Sequence, residues 1–154
     1  MKEINISQAV KLTSPNPLTL ICTENKDFST NIAPVSFVSF FSFNPPVMGF
    51  AMGKSAYTGE RIRQTGKAII TIPGTSLAEA VMHCGSTSGR TIDKVSKFNI
   101  KLTRLRDTAI QIPVETRLAF ITSLHQVVEV GNHDLYICNI EKIYGDESKE
   151  ALFA

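Results

Sequence analysis

The feature that most constrains this chain is a pair of long β-forming runs folded about a turn. "RLAFITSLHQVVEV" (Arg117–Val130) is followed by "GNHD" and then by "LYICNIEKIYG" (Leu135–Gly145). Both runs are rich in β-branched and aromatic residues, and the Gly-Asn-His-Asp punctuation between them predicts a hairpin. The first arm exceeds the length of an ordinary strand, so it is expected to bend. An isolated hairpin is marginal in water, and a long one needs further strands to cover its apolar face.

Those strands are legible upstream. "LTLICTE" (Leu18–Glu24) reads as a strand, and "NKDFSTN" reads as a turn from its Asn, Asp and Ser content. "IAPVSFVSFFSF" (Ile32–Phe43) reads as one strand with an irregular start: from Val35 the apolar positions partly alternate with Ser36, Ser39 and Ser42. Pro34 suits a strand start, a bulge or an edge. "NPP" breaks the chain, "VMGFAM" is another apolar strand, and "KAIITIP" is a strand stopped by Pro73.

Short helices are expected between them. Thr58–Thr65 can form one, with Ser55 or Thr58 as N-cap and Gly66 closing it. "SLAEAVMHCG" carries a capping box, Ser76 with Glu79 three residues on, and ends at Gly85. "DKVSKF" is a short helix, "STSGRT" a polar loop, and "DESKEALFA" an acidic, exposed tail. The pattern is mainly β (α+β), a small β-barrel carrying short helical insertions.

Composition agrees with one domain over residues 1–154. Apolar residues make up 43% and charged residues 19%, enough for a sizeable core. The net charge of +2 argues against a dedicated nucleic-acid partner. Cys22, Cys84 and Cys138 form no CxxC pair, so they read as reduced, mostly buried thiols of a cytoplasmic protein, with no metal site. "MKEINISQAV" lacks an apolar signal core, and no segment reaches the length of a membrane span.

Three places could carry chemistry. "GKSAYT" follows a strand and supplies Gly53, the Lys54 cation, the hydroxyls of Ser55, Tyr57 and Thr58, and then a helix N-terminus. That set suits a phosphate monoester, though from local sequence alone a solvated loop before a capped helix is the commoner reading. It is not a P-loop, because only three residues separate Gly49 from Gly53. In "STNIAPVSF", Asn31 and Ser36 flank Ala33, Pro34 and Val35. This is the mixture an aromatic ligand with a polar edge requires, and also that of an ordinary half-buried strand. His133 is either an exposed turn residue or a donor poised over a ligand. His83 and His125 read as structural, and no Ser–His–Asp or paired-carboxylate arrangement is assignable.

These pieces, in this order, resemble the flavin reductase-like, FMN-binding split-barrel family, most closely its flavoredoxin branch. The resemblance rests on the double proline after a Ser/Phe strand, the K-S-x-x-T group of Lys54–Thr58 and the helix leading to an I-x-I-P strand. "SGRTIDKVSKF" and the Gly-x-His turn add to it. It implies a six-stranded Greek-key split barrel, non-covalent FMN and a homodimer with the flavin near the interface. Lys54, Ser55 and Thr58 would hold the phosphate, with Tyr57 beside the ribityl chain or facing the partner. Asn31, Ala33, Pro34, Val35 and Ser36 would line the ring, and His133 would lie on the nicotinamide side.

The activity implied is transfer of electrons from NAD(P)H through FMN to an acceptor, with a redox partner protein or free flavin as the recipient. The alternative is a flavoredoxin-like electron carrier without its own NAD(P)H reaction. The turn before Asn31, "DFSTN", departs from the family in lacking a glycine.

Overall fold

The computed structural model describes residues 1–154. One antiparallel sheet dominates. Its seven strands run in the order β2 (Thr30–Val35), β1 (Thr19–Glu24), β5 (Lys67–Pro73), β8 (Thr116–Val130), β9 (His133–Gly145), β4 (Pro46–Gly53) and β3 (Val38–Phe43). A two-stranded ribbon, β6 (Leu102–Arg104) with β7 (Gln111–Pro113), lies apart. The helices are α1 (Ile6–Leu12), α2 (Tyr57–Thr65), α3 (Ala78–Gly85) and α4 (Lys94–Lys97).

The expected long hairpin is β8–β9. Its register runs from Leu118↔Gly145 to Val130↔His133, around Gly131 at φ 57, a conformation in which glycine meets no Cβ penalty. β8 bends as expected, through register shifts at Ile121/Thr122 and Leu124/Gln126.

The run from Ile32 to Phe43 is not one strand. It divides at Ser36 and Phe37 into β2 and β3, which occupy opposite edges of the sheet. The sheet therefore curls until two residues join its edges, and no ladder closes the gap. This is a split barrel with seven strands in its main sheet, where six were expected. Side-chain alternation reports which face a residue takes, and is silent on which edge of a curled sheet the strand joins.

Two apolar clusters follow from strand alternation. Ile21, Ile70, Phe50, Met48, Phe120 and Tyr136 fill the barrel with Ile62 of α2. Leu20, Cys22 and Ile69 point outward against Leu77, Cys84, Ile110 and Ile112. β1 and β5 are thus covered on both faces, which is why they read as continuous apolar runs.

Three local expectations are corrected. The N-cap of α2 is Ala56, with no side-chain cap from Ser55 or Thr58, whereas Gly66 closes the helix at φ 70 as expected. α3 begins at Ala78 after a 3-10 turn at Thr75–Leu77, and Leu77 stands at its N-cap with no capping side chain. Ser76 Oγ donates instead to Glu115, 3.5 Å away. The C-terminal segment is tied down: Leu152 N donates to Pro73 O, Thr75 N to Glu150 O, and Asn16 and Ala154 exchange two backbone bonds. Main-chain pairing of this kind leaves no trace in side-chain polarity.

The two sheet edges are treated differently. α3 and α4 pack on β2, and Lys94 Nζ donates to the Ile32 carbonyl. β3 is bare and apolar, with Phe40, Phe41 and Phe43 exposed. No helix is long and apolar enough to cross a membrane.

Candidate functional site

β4–β9 pairing sets Gly53 opposite His133, and Lys54 N donates to Asn132 O, so segments eighty residues apart in sequence meet at one end of the barrel. There, Pro34–Phe37 of the β2–β3 crossover, Ala51–Gly53, Ala56 and His133 line an open groove of about 250 Å³. Phe37 tilts against the His133 ring, with centroids 5.6 Å apart. His133 Nδ1 lies 2.7 Å from Asn132 Oδ1, a contact that leaves Nε2 free of Asn132.

Of the residues singled out in the sequence, Pro34, Val35, Ser36 and His133 line this groove. Ala33 does not: it is buried in the barrel core. Asn31 and Thr58 are buried together beneath the start of α2. Asn31 Nδ2 donates to Thr58 Oγ1 at 2.8 Å and to Thr23 Oγ1 at 3.1 Å. Asn31 Oδ1 is buried and has no hydrogen-bond partner. Most buried acceptors are satisfied, so an orphan here marks a place where a donor belongs.

Ser55 and Lys54 lie on the exposed side of the helix start. Lys54 Nζ is paired with Glu129 of β8, so its charge is partly neutralised, and the pair holds the Glu129 carboxyl below its usual range. Tyr57 turns from the groove to a second cavity, of about 330 Å³, where its Oη donates to Asn25 Oδ1 at 3.0 Å. The structure thus divides the expected site into a ring-sized groove, an exposed cation-and-hydroxyl corner, and a buried Asn31–Thr58 pair that lines neither the groove nor the Tyr57 cavity.

Contributors that escaped sequence reasoning include Phe37 and Lys94, besides Ala51, Met52 and Ala56 of the groove lining. Phe37 forms part of the groove wall, although it stands directly after the "NIAPVS" run. Lys94 is 5% exposed, and its Nζ donates to Ile32 O and Cys84 O, both at 2.9 Å. Burial pushes its amine below the ordinary lysine value. Its signal was the "DKVSKF" segment, which carried no assigned role.

Larger space exists between α3 and Phe98, about 490 Å³ lined by Ser76, His83 and Lys97. None of the candidate site residues lines it. No group of three or more His, Cys, Asp or Glu converges as a metal site.

The groove, the uncapped start of α2 and the orphaned Asn31 oxygen fit a phosphorylated ligand with a flat ring. Apolar walls suit the ring, and N–H groups, hydroxyls and a cation suit the phosphate.

The model of the flavin reductase-like domain family matches residues 12–154. An uncharacterized protein of Archaeoglobus fulgidus is 26% identical over 121 residues, covering 78% of this chain and 68% of its own. An uncharacterized Escherichia coli protein is 30% identical over 102 residues, and this chain spans about half of it, 54%. Among solved structures, flavoredoxin of Methanosarcina acetivorans superposes with a TM-score of 0.81 at 24% identity, over 96% of this chain and 77% of its own. An NADH:FAD oxidoreductase of Streptomyces globisporus reaches 0.85 at 12% identity, over 100% and 93%.

Proposed function

The chain belongs to the flavin reductase-like family, and from that premise we propose that it is an FMN-binding oxidoreductase that passes electrons from NAD(P)H to an acceptor. The observation that carries the reading is the groove itself: the β2–β3 crossover, the end of β4 and His133 converge at the N-terminus of α2. When bound, FMN would supply the redox chemistry, which no side chain of this site can provide.

The chain's own residues bind and orient. Pro34, Val35, Ser36 and Phe37 would wall the ring. Ser55, Lys54 and the first N–H groups of α2 would hold the phosphate. Asn31, fixed through Thr58, would offer its free Oδ1 to a ribityl hydroxyl. His133 Nε2 would face the side from which the nicotinamide approaches. Ala33 drops out of the lining and serves as core.

The same reading includes a homodimer. Phe37 of the groove wall is exposed, and the bare phenylalanine edge of β3 begins beside it in the chain, so a second copy would cover both.

Absorption spectra of the purified protein, before and after anaerobic addition of NADH or NADPH, test the proposal. Flavin bands that bleach with either nucleotide are expected. Bands that bleach only with dithionite would make the protein an electron carrier of flavoredoxin type. A protein that stays colourless after FMN addition would overturn the flavin reading altogether.

A further inference from the structure

The segment Ser86–Thr91 joins α3 to α4 and lies over Asn31. It is anchored at its two ends. Ser86 Oγ and Thr87 Oγ1 both donate to His83 O, and beyond Thr91, Asp93 caps α4 while Lys94 Nζ holds Cys84 O and Ile32 O. Between these anchors the chain is a preformed turn. Arg90 N donates to Ser88 Oγ, and Thr91 N and Ile92 N donate to Ser88 O.

Arg90 and Gly89 tie this turn to the body. Arg90 Nη2 meets Glu60 Oε2 of α2 at 2.7 Å. The Arg90 guanidinium lies 5.5 Å from the centroid of the Tyr57 ring. Gly89 packs against Asn31 and Tyr57: a Cβ there would stand 2.0 Å from Asn31 Oδ1 and 2.9 Å from Tyr57 Cδ1. No apolar side chain is buried between Ser86 and Thr91. The segment is therefore stiff within itself and held down by polar contacts, Arg90 and Glu60 both being partly exposed.

What lies beneath it is the orphaned Asn31 oxygen. An acceptor without a donor, covered by a glycine backbone that the Arg90 contacts help keep in place, describes a ligand position under a strap. We propose that Ser86–Thr91 is a strap across the flavin site, latched by Arg90 on Glu60 and Tyr57, and that its lifting sets the rate at which FMN enters and leaves. This rests on the flavin reading above. It makes Arg90 and Glu60 positioning residues that decide whether the flavin behaves as a resident group or an exchangeable one.

Glu60→Gln keeps the shape of the latch and removes its charge. Mixing FMN with wild-type and E60Q protein in a stopped-flow fluorimeter reads both rate constants. Loss of a partly exposed ion pair is expected to raise association and dissociation together, by about two- to fivefold, and to leave Kd unchanged. Hydrogen exchange of the ligand-free variant should quicken at residues 88–92 and nowhere in the barrel.

Tighter FMN binding by E60Q with unchanged association would mean that Arg90, once released, is a phosphate ligand, and the latch is overturned. Unchanged rates with unchanged exchange overturn it as well. If neither protein binds FMN, the flavin reading fails, and the exchange measurement alone decides whether the latch exists.

Discussion

Gly59 is the third residue of α2, and helix propensity alone recommends alanine there, with a gain of about 1 kcal/mol. The structure predicts the opposite sign. A Cβ at Gly59 would lie 2.1 Å from Tyr136 Oη and 2.9 Å from Tyr136 Cζ, so more than 1 Å of displacement is needed to restore van der Waals separation. Tyr136 cannot supply it. It is 1% exposed, stacked on Phe50 with ring centroids 5.4 Å apart, and its hydroxyl accepts from Arg63. Overpacking against so fixed a ring belongs at the upper end of the usual range, about 3 kcal/mol, which outweighs the propensity gain and leaves Gly59→Ala destabilised by about 2 kcal/mol.

The helix start must tilt away from β9, which also stretches the Asn31–Thr58 hydrogen bond and weakens FMN binding. Urea denaturation of the ligand-free protein measures the first effect and FMN titration the second. Tyr136→Phe removes the nearest atom, so the double variant should recover part of the loss, with a coupling of about 1 kcal/mol. A single variant as stable as wild type, or more stable, would falsify the close-approach argument.

The two partners of the exposed pair at the helix start should act oppositely on the ligand. Lys54→Ala weakens FMN affinity, while Glu129→Gln strengthens it by releasing Lys54, with no change of denaturation midpoint in either. Equal effects on both would remove Lys54 from the phosphate corner. Asn31→Ala should weaken FMN about two- to tenfold, the value of one neutral hydrogen bond, and an unaltered Kd would separate the orphaned oxygen from the ligand.

Burial pushes the Cys22 thiol up to about 12 and the Cys138 thiol up to about 11. The folded chain therefore keeps protons that the unfolded chain releases above pH 9. Stability is complete below that pH and falls as pH rises toward 11, by about 1.4 kcal/mol per pH unit for each thiol. Lys94, depressed by burial, contributes a smaller rise in the same window, below its ordinary value of 10.5. Cys22→Ala should flatten the decline measured by urea midpoints under reducing conditions, and a pH-independent midpoint would contradict it. For the homodimer proposed above, wild type should sediment as a dimer and Phe43→Asp on the bare β3 edge as a monomer; a dimer that persists in the variant would place the interface elsewhere, and a monomeric wild type would remove the dimer.

Much of this protein is readable from local pattern. The long hairpin, the bend in its first arm, the strands β1, β4 and β5, and the glycine closing α2 all follow from β-forming or continuous apolar runs and from turn residues. These are properties of a few adjacent positions. The family was legible too, because the order of several weak motifs is itself information, and the match over residues 12–154 bears it out.

What the sequence could not show depends on pairings between distant segments. The division of Ile32–Phe43 into strands on opposite edges, the tie of the C-terminal segment to Pro73 and Gly74, and the pairing of Gly53 with His133 are all backbone hydrogen bonds, and these carry no side-chain signature. The same holds within the site. By itself the sequence determined the residue types: a cation and hydroxyls before a helix, an apolar run with a polar edge, and a histidine at a turn. Only the tertiary structure decided that Lys54 faces Glu129, that Ala33 is core, that Thr58 is held by Asn31, and that a glycine strap lies over the one buried side-chain oxygen there left without a donor. Chemistry of that kind depends on which atoms meet across space, and sheet register, which sets those meetings, is decided by the whole fold at once.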